Sequence, residues 1–160
     1  MFDLTKTDMV LFDFDDTLCI HSERGAWSAQ DYEQFVVNTI RNKTNYPHSA
    51  CNAQMRKFLQ YCSQMNIATG LISHVGSARE AESKTIWIYQ VYGVSIADYS
   101  VSSREKKVPM LQAIAKANGL SCKRIMLVDD MCITLDEAAD AGFQTATPME
   151  IVNFVNDLGN

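Results

Sequence analysis

Short runs of apolar residues alternate along the chain with stretches that carry apolar residues at every third or fourth position. The runs are residues 9–14, 67–72 and 124–128, with weaker ones at 98–102 and 143–146. Runs of this length predict buried strands, whereas the three-and-four spacing predicts helices with one buried face. Strands that alternate with helices are typical of a parallel sheet covered on both faces. The pattern therefore predicts an α/β fold, a three-layer α/β/α sandwich with a mainly parallel sheet.

Polar residues and glycines mark the ends of the predicted helices. A hydroxyl residue followed by glutamate three positions later is the pattern of an N-terminal capping box. It occurs at the starts of three predicted helices, at Ser77–Glu80, Thr134–Glu137 and Thr147–Glu150, and Pro148 follows the last cap at the first helical position. Glycines at the opposite ends predict C-terminal caps at Gly93, Gly119 and Gly142.

Residues 19–50 interrupt the alternation between the first strand and the next helix. The segment predicts one helix that begins near Ser28, after which Asn45, Pro47 and Ser49 return the chain to the core. Because about thirty residues are too few for an independent domain, we expect a small helical cap or lid. The prediction is a single core domain over residues 1–160 with this insertion inside it.

Composition narrows the class of protein. The chain has 160 residues with 14 basic and 19 acidic side chains, a net charge of −5, which argues against a basic nucleic-acid footprint and a polybasic membrane surface. Its five cysteines are odd in number and without CxxC spacing, so neither a disulfide framework nor a zinc site is indicated. With no signal peptide or apolar membrane-spanning run in the sequence, we expect a cytoplasmic protein.

Carboxylates follow two of the predicted strands. Asp13 and Asp15 end the first strand, and Asp129 and Asp130 end the strand at 124–128. The carboxyl ends of parallel strands form the ligand edge of such sheets, so we expect these four side chains to converge. Two unit charges ~4 Å apart repel by about 4 kcal/mol at an effective dielectric near 20. A cation should therefore lie among them, and hard oxygen ligands favour Mg²⁺.

The segment VLFDFDDTL resembles the first motif of the haloacid dehalogenase superfamily, whose members are mostly phosphatases with a Rossmann-like core. The family's other motifs follow in order: Ser73 matches the second, the pair Lys106 and Lys107 covers the third, and Asp129-Asp130 matches the fourth. Aligning Pro109 with the family's usual proline favours Lys106, whereas the direct lead into VPML favours Lys107. We lean slightly to Lys106. Many members carry a second acid four positions after the main aspartate of the fourth motif. That position is Thr134 here, so Asp129 is the expected second acid.

The resemblance implies a mechanism. Asp13 would be the nucleophile that forms an aspartyl-phosphate, and Asp15 would be the general acid and base. Ser73, the motif lysine and the backbone amides near Asp15–Thr17 would hold the phosphate, with His74 at its border. Mg²⁺ would be held by carboxylates of the strand ends and by the carbonyl of Asp15, so that the expected metal ligands are Asp13, Asp15, Asp129 and Asp130.

The expected substrate is a small phosphorylated metabolite, and the expected state is a monomer or a homodimer. One alternative is phosphoryl transfer, as in a mutase, which the small cap disfavours because a mutase must exclude water. A second is a non-enzymatic, Mg²⁺-binding phospho-acceptor domain. Such a domain has its phospho-acceptor aspartate at the end of the middle strand. In this sequence the middle strand ends in Ser73.

Overall fold

A computed structural model describes residues 2–21 and 49–158. Nine short strands occur in this part of the chain: β1 (Met9–Phe12), β2 (Cys19–His21), β3 (Ser49–Cys51), β4 (Ala68–Leu71), β5 (His74–Val75), β6 (Ala97–Asp98), β7 (Val101–Ser102), β8 (Ile125–Val128) and β9 (Gln144–Ala146). Five of them form one parallel sheet in the order β6-β4-β1-β8-β9. The parallel sheet that the hydrophobic pattern predicted is confirmed.

The described ranges also contain five α-helices, of which the last follows β9: α1 (Ala53–Gln64), α2 (Ala78–Tyr92), α3 (Lys107–Ala117), α4 (Cys132–Asp140) and α5 (Pro148–Asp157). Two 3₁₀ turns, Leu4–Lys6 and Cys122–Arg124, precede β1 and β8. The buried apolar side chains of α1, α2 and α5 belong to one hydrophobic cluster, and those of α3 and α4 belong to another. The sheet therefore lies between two helical layers, the three-layer sandwich of the prediction.

Strand β1 shows how the two layers divide the core. Its four residues are all buried, and successive side chains of a strand point to opposite faces. Val10 and Phe12 pack into the α1–α2–α5 cluster, whereas Met9 and Leu11 pack into the α3–α4 cluster. An apolar run without alternation is thus the expected sequence of a central strand covered on both sides.

The register of the central strands aligns their carboxyl ends. Phe12 of β1 lies opposite Leu71 of β4 and Val128 of β8. The chain leaves the sheet at one level on all three strands, so the residues that follow them meet at one edge.

The helix ends agree with the sequence patterns at most positions. Thr147 and Glu150 form the complete capping box, and the three predicted glycine caps have φ of 72°, 65° and 88° at Gly93, Gly119 and Gly142. The prediction at Thr134 was wrong. Helix α4 begins two residues earlier at Cys132, because the amide of Thr134 already donates to the carbonyl of Met131 and continues the first turn.

Two of the predicted strands end differently from the apolar runs. The first ladder stops at Phe12, since the carbonyl of Phe14 accepts from the amides of Thr17, Leu18 and Cys19 and turns the chain. The run at 98–102 is divided between β6 and β7. Asp98 accepts from both the amide and the hydroxyl of Ser100, which is a local turn that competes with a continuous ladder.

The predicted cap lies outside the described residues, except for its two ends. These are β2 and β3, which pair antiparallel with Cys19 opposite Cys51. The helix predicted from Ser28 falls within residues 22–48 and stays a prediction. No helix in the described ranges is long and apolar enough to cross a membrane.

Candidate active site at the carboxyl edge of the sheet

A buried lysine joins the two strand ends that carry the carboxylates. The ammonium Nζ of Lys107 lies 2.7 Å from Oδ1 of Asp13 and 2.7 Å from Oδ2 of Asp129. All three side chains are buried, and Lys107 is only 4% exposed. Because Lys107 begins α3, the helix start brings a cation to the edge where β1 and β8 end.

The neighbouring lysine lies elsewhere. The side chain of Lys106 is 71% exposed, and its Nζ is 2.6 Å from a carboxylate oxygen of Glu137 on α4. Our slight preference for Lys106 is therefore corrected: Lys107 lies at the carboxylate cluster and Lys106 does not. The physical reason is that consecutive residues at a helix start point in different directions, a difference that a proline alignment does not detect.

The proton affinities of Asp13 and Lys107 are both shifted by their surroundings. Burial raises the pKa of Asp13, and the negative charge of Asp129 adds to this, against the opposing charge of Lys107. Burial would lower the pKa of Lys107, but Asp13 and Asp129 hold it above its ordinary value. Lys107 therefore stays charged at neutral pH, and a charged Lys107 favours the ionised form of Asp13.

Asp130 completes a cluster of three carboxylates with Asp13 and Asp129. One oxygen from each lies within 4.8 Å of the others. The side chain of Asp130 keeps some exposure, yet partial burial, followed by the charges of Asp13 and Asp129, raises its pKa to about 6. The part of this rise that comes from the neighbouring carboxylates would be relieved by a bound cation.

The cluster fits a small divalent cation. Oxygens that ligate Mg²⁺ lie about 2.1 Å from the ion, so opposite ligands are about 4.2 Å apart. One oxygen from each of the three carboxylates lies within 4.8 Å of the others, which is compatible with a shared ion of this size. Both oxygens of Asp129 already have partners, since Oδ2 accepts from Lys107 and Oδ1 accepts from the amide of Met131. Asp13 and Asp130 are consequently the best placed of the three for a metal.

A second buried lysine, which the sequence analysis did not identify, lies on the other side of the site. Lys84 of α2 is fully buried. Its Nζ donates to Oδ2 of Asp15, to Oγ of Ser73 and to the carbonyl of His74, each at 2.9 Å. Asp15 and Ser73 are thus brought together, as expected, but through a cation that no motif indicated.

The signal for Lys84 was present in the helical pattern. Trp87 and Ile88, three and four residues further along α2, are both buried, so Lys84 occupies the buried face of the helix. A lysine on such a face is buried only when it is paired. The helical spacing could therefore have indicated an acidic or polar partner, although not which one.

Two further candidates have different surroundings. Thr17 is fully buried and its hydroxyl has no hydrogen-bond partner within the described part of the chain. The ring of His74 is held at Nε2, which donates to the carbonyl of Glu105 at 2.8 Å. Nε2 of His74 is therefore already engaged in a hydrogen bond within the protein.

Comparisons with known proteins give the fold its class. No family model matches the chain, and no curated protein matches it in sequence. Solved structures do match, among them a haloacid dehalogenase-like family hydrolase from Streptococcus pneumoniae, with 12% identity, a TM-score of 0.63 and coverage of 88% of this chain and 84% of that one. The chain therefore has the haloacid dehalogenase-like fold.

Two phosphate-related structures belong to the same set. CbbY from Rhodobacter sphaeroides, in complex with phosphate, is 11% identical with a TM-score of 0.61 over 88% of this chain and 85% of that one. The cobalt-bound deoxy-D-mannose-octulosonate 8-phosphate phosphatase from Haemophilus influenzae is 12% identical with a TM-score of 0.55, over 90% and 70%. The resemblance seen in the motifs is confirmed at the level of the fold.

Proposed function

We propose that the protein is a Mg²⁺-dependent phosphatase that hydrolyses a small phosphomonoester through an aspartyl-phosphate on Asp13. The observation that carries the proposal is the buried carboxylate of Asp13, held 2.7 Å from Lys107 with oxygens of Asp129 and Asp130 nearby. Charged groups this deeply buried are costly and cluster at functional sites. The phosphatase and the phosphate complex among the structural neighbours support the choice of chemistry.

In the first step, an oxygen of Asp13 attacks phosphorus while the bond from phosphorus to the leaving oxygen breaks. Protonated Asp15 gives its proton to that oxygen, so the product leaves as an alcohol. Lys107 keeps the attacking carboxylate ionised and in place. The hydroxyl of Ser73 and the amides near Asp15–Thr17 would hold the non-bridging oxygens.

In the second step, Asp15 takes a proton from water, which attacks phosphorus and breaks its bond to Asp13. Inorganic phosphate leaves, and both aspartates return to their starting state. The residues that would hold Mg²⁺ are Asp13, Asp130, the carbonyl of Asp15 and, less directly, Asp129. Bound there, the cation would neutralise charge between an anionic nucleophile and an anionic substrate.

The test is hydrolysis of a panel of phosphomonoesters, p-nitrophenyl phosphate included, with Mg²⁺ and with EDTA. We expect turnover only with the metal, and an acid-stable radiolabelled intermediate after quenching. Asp13→Asn should remove both signals. Asp136→Asn, an exposed aspartate of α4, is the matched control and should leave them unchanged. Full turnover by Asp13→Asn would exclude Asp13 as the nucleophile.

The same assay separates hydrolysis from transfer. Adding alcohol acceptors should leave inorganic phosphate as the main product, because we expect the small cap not to exclude water. Predominant phosphorylation of the acceptor would favour the mutase-like alternative. A stable phosphoenzyme without turnover would favour the phospho-acceptor domain. We also propose a cytoplasmic setting, in which the five cysteines stay reduced.

A further inference from the structure

We propose that Lys84 is a positioning residue for the reaction, which fixes the proton donor Asp15 and the phosphate-site hydroxyl of Ser73 as one unit. The inference rests on the proposed phosphatase activity. It concerns a residue that none of the motifs identified and that belongs to the connecting helix α2 rather than to a strand end.

The bonding of Lys84 is complete. An ammonium has three N–H donors, and three acceptors lie 2.9 Å from Nζ: Asp15, Ser73 and the carbonyl of His74. All three N–H groups are therefore used within the protein, and at 0% exposure the ammonium is not accessible to a substrate. Lys84 must therefore act through the groups that it holds.

The position of Lys84 is rigid. Helix α2 is capped by the side chain of Ser77 and anchored by buried Trp87. One turn earlier, Glu80 accepts from the amide of Gly76 and lies 3.4 Å from Nζ of Lys84. On the other side, the ring of Phe14 lies 5.2 Å from the same nitrogen, within cation–π range. Contacts from the helix and from the loop after β1 thus fix the ammonium.

The contact with Ser73 decides which way its hydroxyl points. Oγ of Ser73 accepts from Lys84, so its own hydrogen must be donated elsewhere. The carbonyl of His74, 3.5 Å away, is too distant for a good hydrogen bond. A phosphate oxygen at the strand edge is a better acceptor. Lys84 thereby turns Ser73 into a donor that is already oriented toward the substrate.

The contact with Asp15 limits the movement of the carboxylate. Asp15 lies in the turn that follows β1, where the next residue, Asp16, has a left-handed φ of 54°. Lys84 ties Oδ2 of Asp15 to the end of β4 through Ser73, while Lys107 ties Asp13 to the end of β8 through Asp129. The two aspartates of one motif are therefore held in place by two different lysines.

The experiment compares two leaving groups in Lys84→Met, a substitution of similar length without charge. Expulsion of p-nitrophenolate needs little protonation, whereas expulsion of an alkoxide depends on the proton donor. We expect kcat/KM for the best alkyl phosphate of the panel to fall by about 10²-fold or more, the range of general-acid catalysis. The loss for p-nitrophenyl phosphate should be at least about 10-fold smaller. Lys116→Met, an exposed lysine at the end of α3, should change neither rate.

The ratio of the two rates does not depend on the fraction of folded enzyme, so a structural role alone would leave it unchanged. An unchanged ratio in Lys84→Met, with wild-type activity intact, overturns the inference but not the proposed function. Absence of phosphatase activity in the wild-type protein overturns the proposed function instead. If Lys84→Met does not fold, Lys84→Gln replaces it in the same comparison, and the same shift in ratio is required.

Additivity gives a second measurement. If Lys84 acts partly through Asp15, Lys84→Met should cost less activity on the alkyl phosphate in the Asp15→Asn background than in the wild type, because only the contact with Ser73 is then left to lose. The double variant also removes both charges of the pair, which is less disruptive than removing one. Independent, multiplying losses would show that Lys84 does not act through Asp15.

Discussion

Removing the ammonium of Lys107 tests whether the carboxylate cluster is held together by that one cation. At 2.7 Å from each of two carboxylates, each contact contributes about 6 kcal/mol of Coulomb attraction at an effective dielectric near 20. Most of this is offset by the cost of burying the charges. Deleting one partner leaves the others buried without compensation, which destabilises by about 3–5 kcal/mol. We expect this loss for Lys107→Met.

Lys106→Met is the matched control for this prediction. It changes the adjacent residue at the start of the same helix, so the effect on the helix dipole is similar. Its ion pair with Glu137 is exposed, and such pairs contribute between about 0 and 1 kcal/mol. The two variants should therefore differ by at least about 2 kcal/mol in the free energy of unfolding.

The assay is urea unfolding followed by circular dichroism at pH 8, in EDTA and again in saturating Mg²⁺. At this pH the stabilisation from Lys107 is fully present, because its raised pKa means that the contribution is lost only at more alkaline pH. Binding of Mg²⁺ to the native state should restore part of the loss, about 2.7 kcal/mol at a hundred times Kd. Equal losses in the two lysine variants would refute the reasoning.

Three further predictions follow from the fold and the cluster. Gly70→Ala would place a Cβ 2.6 Å from a methyl carbon of Leu11, and overpacking should lower the free energy of unfolding by about 1–3 kcal/mol in the same urea assay. Thr147→Ala breaks a complete capping box and should cost about 1 kcal/mol, whereas Thr134→Ala should cost almost nothing; the reverse order would contradict the assigned start of α4. Because the pKa of Asp130 is raised in the folded protein, the free energy of unfolding without metal should fall as pH rises from about 4 to about 6. Asp130→Asn lacks this titration, so in thermal melts with EDTA its stability relative to the wild type should increase across that pH range. Mg²⁺ should remove this advantage, and a pH-independent difference would contradict it.

The sequence predicted the sheet and the edge at which the carboxylates meet, because both depend on local patterns. Unbroken apolar runs identify β1, β4 and β8 as central strands, and the ends of parallel strands are a common ligand edge. Carboxylates directly after two such runs were therefore sufficient to place Asp13 and Asp129 together. The structure brings them within reach of one ammonium.

The lysines could not be assigned in the same way, because they lie on helices and not directly after a strand, so the strand-end pattern does not place them. Lys107 is 94 residues from Asp13, and Lys84 is 69 residues from Asp15. The choice between Lys106 and Lys107 depends on the residue at which α3 begins, because neighbouring residues there point in different directions. Neither a proline alignment nor the charge pattern determines that residue. Thr134 is a similar case. Its capping pattern in the sequence does not determine the residue at which the helix begins, and α4 begins before it at Cys132.

The two buried lysines make folding and assembly of the site a single event. Each ammonium is buried in the core and has acceptors on strand ends that lie far from it in the chain. Before α2 and α3 pack onto the sheet, neither lysine contacts its carboxylate partner, and the carboxylates of Asp13 and Asp15 are hydrated by water. Afterwards, an ionised lysine without its carboxylate would be costly. Substitutions of these aspartates should therefore lower stability as well as activity, and a loss of turnover in either variant must be corrected for the folded fraction before it is assigned to chemistry.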